Sequence, residues 1–339
     1  MKILYCTLTG KSGGDIYFNQ LQKSQITLNN LIYSQNYHRF WSIFPTLLSP
    51  FIKITDSIDI VHSNIEYGYI FHRYDKPLIV SALHIVSEDF INKYYKSTQK
   101  FYYQAILKYI KKTIEKATYI VAISKASELQ VKEIVQAKNI QTIYCGIDTN
   151  LFQPLKIDND PYEKKIKLLF VGNLTKRKGI DLLPKIMAKL DNRFLLFYTT
   201  GMRTPKRIFT DKRMLPIGNL QLSELVYWYN LCDIFVLPSR LEGFGYAIAE
   251  AMACAKPVVT TNCSSLPEIV IDGENGFLCR IDDVLDFVDK IKLLADNKQM
   301  REEMGIRGRK RIIDNFNLIK MGKEYNDMYQ KVYKEFYSL

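Results

Sequence analysis

Short runs of apolar residues alternate along the chain with longer stretches in which apolar and charged residues recur at helical spacing. Near-continuous apolar strands bounded by turns are typical of a parallel sheet whose two faces are both covered. Helices fit between the runs, for example over residues 124–136. We predict strands at residues 3–8, 58–62, 78–83, 119–123, 141–144, 166–171, 194–198, 234–237 and 257–260.

The alternation is interrupted once, by a polar stretch at residues 148–165 that contains Pro154 and Pro161 and few apolar residues. This composition is typical of a linker between domains. Because the alternation of strands and helices restarts after it, we predict an α/β protein with two parallel sheets. Ligands are then expected outside the carboxyl ends of the strands and in the cleft between the domains.

Composition and charge narrow the class of partner. The chain is 47% apolar and carries 47 Lys and Arg against 35 Asp and Glu, a net charge of +12. This excess favours anionic partners such as nucleotides, nucleic acid or a membrane surface, without choosing among them. The six cysteines form no C-x-x-C pair, so we expect buried free thiols and a reducing, cytoplasmic location. The opening residues lack a secretory-signal pattern, and we expect no membrane-spanning segment.

A glycine-rich turn follows the first predicted strand. Gly-Lys-Ser at residues 10–12 is not a P-loop, because the upstream glycine would have to stand where Tyr5 is. The turn, which ends at Gly14, allows either a close approach to an anion or an ordinary tight turn.

A second candidate follows the strand predicted at 234–237. Gly243 and Gly245 allow a tight loop, and residues 246–253 have a helical pattern. Free amides at the start of that helix could bind an anion. Glu242 and Glu250 flank this turn and could hold the hydroxyls of a polyhydroxylated ligand. The alternative is a capping Glu and a surface Glu.

A third candidate is the loop at residues 172–179, which contains three consecutive basic residues. Arginine can clamp a phosphate with two hydrogen bonds, and lysine acts as a point charge. The alternative is a solvated loop. The four histidines, at positions 38, 62, 72 and 84, form no metal-binding motif, so we expect no protein metal site. His62 and His84 follow predicted strands, where a structural role is the more common one.

Taken together, these segments resemble the retaining nucleotide-sugar glycosyltransferases of family 4, also called group 1, which have the GT-B fold. The stretch from Glu242 to Glu250, followed by Pro257 and a valine strand, is similar to the E-x7-E motif of that family. The segment 172–179 resembles its phosphate loop. The sequence departs from the family at Asn173, where Arg is frequent, and at Ala255, where Gly is frequent.

The resemblance implies two Rossmann-like domains that face each other across a cleft. They would cover residues 1–157, on the acceptor side, and 158–317, which binds the nucleotide sugar. A C-terminal helix at 318–339 would cross back onto the first domain.

The resemblance also implies roles for individual residues. Glu242 would hold hydroxyls of the donor sugar and Glu250 the ribose. Gly14 would let the first domain approach the diphosphate, and His84 would reach the donor sugar. The groups that stabilise the diphosphate would be Arg177, Lys178 and the amides of Gly245 and Tyr246. The remaining implied donor-binding residues are Asn173, Gly243 and Phe244.

The implied reaction moves a sugar, of hexosyl or N-acetylhexosaminyl type, from a nucleoside diphosphate to a hydroxyl of a glycan or lipid-linked acceptor. The anomeric configuration is retained, and no cofactor, essential metal or nucleic acid is expected. One alternative is an inactive GT-B protein that binds an anionic membrane or nucleic acid. Another is a GT-B relative with different chemistry, an epimerase or a phosphorylase, which the fit of residues 237–280 to family 4 disfavours.

The first half of the chain also predicts a basic helix. Residues 1–157 carry 18 Lys and Arg against 11 Asp and Glu. At helical spacing, one side of residues 100–116 is apolar, and the other carries Lys100, Lys108, Lys111, Lys112 and Lys116. This side is either a solvated face or a surface that attracts anionic lipid headgroups at the inner face of the cell membrane.

Overall fold

The computed structural model describes residues 1–10, 13–42, 44–86, 90, 93–94, 97–134, 139–200 and 209–338. The chain divides into two compact units, Met1–Gly146 with Leu318–Leu339, and Ile147–Asn317. Each unit is built on one sheet, and in the described part of the chain both sheets have six strands that pair only in parallel. The predicted α/β class is confirmed.

The first unit contains the sheet formed by the first half of the chain. Its strands are β1 (Lys2–Thr9), β2 (Leu31–His38), β3 (Ile60–Asn64), β4 (Leu78–Ala82), β5 (Tyr119–Ala122) and β6 (Ile140–Thr142). They lie in the order β2-β1-β3-β4-β5-β6. The helices of this half are α1 (Gly13–Ile26), α2 (Ser97–Lys116) and α3 (Lys125–Ile134). The four central strands are almost wholly buried, as their apolar sequences predict.

The second unit repeats the plan. Its strands are β7 (Ile166–Phe170), β8 (Phe194–Thr199), β9 (Met214–Gly218), β10 (Ile234–Leu237), β11 (Val258–Thr261) and β12 (Gly276–Cys279), in the order β12-β11-β10-β7-β8-β9. Its helices are α4 (Leu183–Met187), α5 (Leu222–Leu231), α6 (Tyr246–Ala253), α7 (Leu266–Ile269), α8 (Val284–Asp296) and α9 (Lys298–Asn315). Local sequence fixes several helix starts: the Asp283 side chain, for example, accepts from the amides of Leu285 and Asp286 at the start of α8.

The last helix, α10 (Leu318–Tyr337), belongs to the first unit. A buried hydrogen-bond network joins it to the sheet. The Tyr329 hydroxyl lies 2.5 Å from His62 Nδ1 and 2.9 Å from the Tyr5 hydroxyl, and His62 Nε2 lies 2.7 Å from the Ser81 hydroxyl. Burial lowers the pKa of His62 to about 3, so the ring is neutral. His62 therefore has a structural role.

Two further predictions can be compared with the structure. All six cysteines are free and buried, as expected from their apolar surroundings. None of the described helices is long and apolar enough to cross a membrane.

Candidate active site

The sheet order brings two of the predicted segments together. Strands β7 and β10 are neighbours, paired at Ile234 with Leu168 and at Phe235 with Leu169. The loops that follow them therefore emerge side by side at the carboxyl edge of the sheet. The amide of Arg240 donates to the carbonyl of Arg177 across 2.8 Å, which joins the two loops directly.

Glu242 lies at the centre of this junction. Its side chain is buried, and Oε1 accepts from Lys178 Nζ and from the Ser239 hydroxyl, both at 2.6 Å. Arg177 Nη1 lies 3.7 Å from Oε2. Burial alone would raise the pKa of Glu242, but the charges of Lys178 and Arg177 outweigh it and lower the pKa to about 2. Glu242 is therefore an ionised carboxylate between two cations.

The backbone of the basic loop fixes the position of Lys178. Residues Lys176–Lys178 form a short 3-10 helix, and the Thr175 side chain accepts from the amide of Lys178. Gly179 follows with φ +71°, and a Cβ on it would lie 1.9 Å from the carbonyl oxygen of Pro238. Only glycine fits there. Burial lowers the pKa of Lys178, and Glu242 opposes that shift.

Arg240 and Asp181 brace the same loop, although the sequence did not identify either of them. Arg240 makes a two-pronged ion pair with Asp181, at 2.7 and 2.8 Å, and its Nε lies 2.6 Å from Asp282. Its Nη1 also donates to the carbonyl of Lys176. The signal was an arginine in the loop that follows β10, at the edge where ligands bind. It positions the basic loop.

Glu250 lies in the second turn of α6. It is only 7% exposed, and its Oε2 accepts from the Tyr229 hydroxyl at 2.8 Å. Burial raises its pKa to about 7, although Tyr229 and the charge of Lys178 act in the opposite direction. This burial excludes the alternative of a surface glutamate, and Tyr229 is a neighbour that the sequence did not reveal.

The start of α6 is held by its own loop. Gly245 has φ +103°, and a Cβ there would lie 2.9 Å from Leu266 Cδ2. The Ser265 hydroxyl donates to the carbonyls of Glu242 and Phe244, which fixes the loop that contains Gly243. The first amides of a helix have no acceptor within the helix and carry its partial positive charge. Those of Gly245 and Tyr246 therefore suit an anion.

The remaining predicted residues are spread over both units. Asn173 is an exposed residue of the loop after β7. In the first unit, Gly14 lies in the first turn of α1, and the half-buried His84 follows β4, so both are at the carboxyl edge of their own sheet. Residues 11 and 12 of the glycine-rich turn lie outside the described residues. Among the residues that are described, no three His, Cys, Asp or Glu side chains are grouped as metal ligands.

Comparison with known proteins gives matches over nearly the whole chain. The family model for glycosyl transferases group 1 matches residues 152–311, and that for glycosyltransferase family 4 matches residues 10–151. N-acetyl-alpha-D-glucosaminyl L-malate synthase of Bacillus anthracis is 26% identical over 66% of this chain and 62% of its own length. The capsular polysaccharide biosynthesis glycosyltransferase CapM of Staphylococcus aureus is 29% identical over 65% of this chain and 63% of its own.

Among solved structures, Anabaena HepE in complex with UDP-glucose matches with a TM-score of 0.80 and 18% identity, over 98% of this chain and 100% of that one. This likeness shows the GT-B fold. The matches to the two curated relatives span a little under two thirds of their lengths.

Proposed function

Because the chain belongs to the group 1 glycosyltransferases of family 4, we propose that it transfers a hexosyl or N-acetylhexosaminyl group from a nucleoside-diphosphate sugar. The acceptor is a hydroxyl of a glycan or of a lipid-linked sugar. The observation that carries this proposal is the ionised Glu242, held between Lys178 and Arg177 at the carboxyl edge of β7 and β10. The N-terminus of α6 and the buried Glu250 adjoin it in sequence.

In this proposal the two glutamates hold the two ends of the donor. Glu242 accepts hydrogen bonds from sugar hydroxyls, since its charge is maintained by the neighbouring cations. Glu250 accepts from the ribose hydroxyls, and the Tyr229 hydroxyl fixes the orientation of its carboxyl group. The relatives support a sugar of this size, because one is named for N-acetylglucosaminyl transfer and HepE was solved with UDP-glucose.

The diphosphate leaves with growing negative charge, and this chain offers cations and helix amides to stabilise it. Lys178, Arg177 and the amides of Gly245 and Tyr246 act on it from the second unit. For the first unit taken by itself, we propose that Gly14 lets its backbone approach a phosphate and that His84 donates to a sugar hydroxyl. Preorganised charges of this kind usually supply the largest part of catalysis. We propose that these groups serve in place of a metal ion.

We further propose that the configuration at the anomeric carbon is retained. Attack by the acceptor hydroxyl takes place on the face that the leaving diphosphate vacates, and a phosphate oxygen accepts the hydroxyl proton. The alternative is a covalent glycosyl intermediate on a side chain.

Two features of the first unit support an anionic, membrane-proximal acceptor. Helix α2 buries Ile106, Ile110 and Ile114, and it exposes Lys108 and the other predicted lysines except the half-buried Lys100. A cavity of about 580 Å³ lies beside it, lined mainly by apolar residues that include Ile85 and Val86, directly after His84, and also by Lys108. We propose peripheral, salt-sensitive binding to the inner face of the cell membrane.

A thermal-shift panel of nucleotide sugars tests the donor, because a ligand that binds only the folded state raises its stability. The stabilising donor is then offered to acceptor extracts, and the anomeric proton coupling of the product is read by NMR. An inverted product contradicts retention. If donors bind but are neither transferred nor hydrolysed, the protein is a binding protein and the proposed enzymatic function is wrong.

Co-sedimentation with liposomes tests the membrane contact. We expect binding to anionic vesicles that falls as salt is added, and little binding to neutral ones. Equal partition onto neutral and anionic vesicles, or no binding at low salt, would contradict an electrostatic contact through α2.

A further inference from the structure

The first unit exposes a group of large apolar side chains that the proposed reaction does not use. Phe40, Phe44, Leu47 and Phe51 are between 59 and 64% exposed. They lie in an uncharged run, residues 40–52, between Arg39 and Lys53. We call the described part of this run, residues 40–42 and 44–52, the aromatic loop.

The aromatic loop has one anchored side and one exposed side. Its residues belong to two 3-10 helices, Arg39–Ser42 and Pro45–Phe51, the second of which includes Pro50. Leu48 and Ile52 are buried in the core of the first unit and hold the loop in place. The Trp41 ring contacts the rings of Phe40 and Phe51, with centroids 6.0 and 5.8 Å apart. The buried anchors and the ring contacts therefore hold the exposed side chains in defined positions.

Helix α2 adjoins this surface. The 3-10 helix Gly68–Phe71 contacts both the Pro45–Phe51 segment and α2. Just before it, the Tyr67 hydroxyl lies 3.2 Å from that of Tyr102 in α2. Tyr102 and its neighbour Phe101 are themselves exposed at the start of α2. The aromatic loop and the lysine side of α2 are thus neighbouring parts of one unit.

We propose that the aromatic loop inserts into the headgroup region of an anionic bilayer, while the lysines of α2 bind the headgroups. This deepens the proposed membrane contact of α2 and rests on it for the orientation of the protein. Aromatic and apolar side chains beside basic residues are the composition that interfacial membrane segments use. A second copy of the chain is the less suitable occupant, because it would bring two basic faces together.

The chain offers a built-in reporter for insertion. It has only two tryptophans, Trp41 in the aromatic loop and Trp228 in α5 of the second unit. In the W228F variant, Trp41 is the sole tryptophan. We expect its emission to shift to the blue on anionic vesicles and to be quenched by lipids with brominated acyl chains. Co-sedimentation without any quenching would overturn insertion of the aromatic loop, while leaving the electrostatic contact of α2 intact.

Paired variants separate the two contacts. We expect F44S/F51S to lower partition onto anionic vesicles about tenfold and to abolish the part that resists salt. The control L285S/I306S removes two apolar residues of the second unit that are also exposed, and it should bind like the wild type. K108A/K111A should weaken binding at low salt and leave the salt-resistant part.

Donor hydrolysis and the unfolding temperature should be unchanged in F44S/F51S, since these side chains are exposed. If this variant instead converts a dimer to a monomer in sedimentation velocity, with unaltered lipid binding, the surface is an interface between copies and the proposal is wrong.

Discussion

Glu242 and Glu250 are the same chemical group, eight residues apart, in opposite states. Both are buried, yet the pKa of Glu242 is lowered to about 2 while that of Glu250 is raised to about 7. The difference comes from their neighbours: Lys178 and Arg177 face Glu242, whereas the hydrogen bond from Tyr229 only partly offsets the burial of Glu250. One carboxylate is thus charged before any ligand binds, and the other is poised near neutral pH.

Replacing Lys178 with alanine tests the charge at the diphosphate. We expect kcat/KM for transfer to fall by about 10²–10³, the effect of removing one preorganised donor. Lys176→Ala is a matched control, because that lysine lies in the same 3-10 helix with an exposed side chain. Steady-state rates with a saturating acceptor measure both variants. A folded Lys178→Ala enzyme with wild-type turnover would remove Lys178 from the mechanism.

Glu250→Gln tests the ribose contact through affinity and pH. We expect donor affinity to weaken by about 1–3 kcal/mol, as for a hydrogen bond to a charged group. In the wild type, affinity for a nucleotide sugar should rise from about pH 6 to about pH 8, because ribose hydroxyls bind the ionised carboxylate best. Isothermal titration at several pH values measures both effects. A glutamine variant that keeps the wild-type affinity and pH profile would show that Glu250 does not touch the donor.

Glu250→Gln should also change how the free energy of unfolding depends on pH when no ligand is present. The folded-state pKa of Glu250 is above its unfolded value, so its contribution to stability is complete below about pH 4.5 and is lost as the pH rises through 7. The free energy of unfolding of Glu250→Gln should therefore fall less than that of the wild type over this range, as urea titrations would show.

Ala255 is strained by its backbone. It has φ +56°, in the left-handed region, which favours glycine over alanine. Ala255→Gly should stabilise the protein by about 0.5–1 kcal/mol, since relief of the strain exceeds the added freedom of the unfolded chain. The control Ala251→Gly, inside α6, should destabilise it by about 1 kcal/mol or more. Thermal unfolding compares them, and equal effects would contradict backbone strain as the cause.

At the scale of elements, the sequence predicted the central strands and one edge strand, β6, and missed the other three edge strands. β10 was predicted at its observed bounds, and β4 and β7 to within one residue, because strands buried on both faces are continuous apolar runs. Strands β2, β9 and β12 were not predicted, and all three are sheet edges. β2 is mostly exposed and rich in polar residues, so its sequence lacks that signal. Edge strands depend on pairing with a neighbour that a local pattern does not reveal.

In the candidate active site, too, a local sequence pattern predicted some features and not others. Its two loops could be predicted because glycines and charges follow apolar strands directly, and the adjacency of β7 and β10 then brings the loops together. Asp181 and Tyr229 could not be predicted, because each acts through a partner distant in sequence. The distances in sequence are 59 residues between Asp181 and Arg240 and 21 between Tyr229 and Glu250.

The attachment of α10 to the first sheet should depend on pH through His62. The folded-state pKa of His62 is about 3, below the unfolded value of 6.5, so the unfolded chain binds a proton that the folded one excludes. Stability is therefore complete above about pH 6.5 and falls on acidification, by about 2 kcal/mol at pH 5. His62→Gln should lower stability at neutral pH and flatten this slope. Urea unfolding at several pH values decides, and an unchanged slope would assign the acid sensitivity to other groups.

At the scale of the whole molecule, the two units differ in how the chain builds them. The second unit is one continuous segment, Ile147–Asn317, whereas the first needs both Met1–Gly146 and the final helix. Tyr325 and Tyr329 of α10 are fully buried, and a hydroxyl hydrogen bond joins Tyr325 to Tyr17. Helix α10 is therefore part of the core of the first unit, and we expect the fold of that unit to depend on it.

This topology predicts that two truncated chains differ in which unit still folds. A fragment of residues 147–317 should unfold cooperatively by itself, and its unfolding temperature should rise with added nucleotide sugar, because Lys178, Glu242 and Glu250 all lie within it. A chain of residues 1–317 should keep the unfolding transition of the second unit but lose that of the first unit. Removal of α10 exposes His62 and Tyr5 and takes away their hydrogen bonds to Tyr329. Scanning calorimetry, with proteolysis of residues 1–146 as a second readout, measures both. A first unit that stays protected in the 1–317 chain would show that α10 covers an already stable fold.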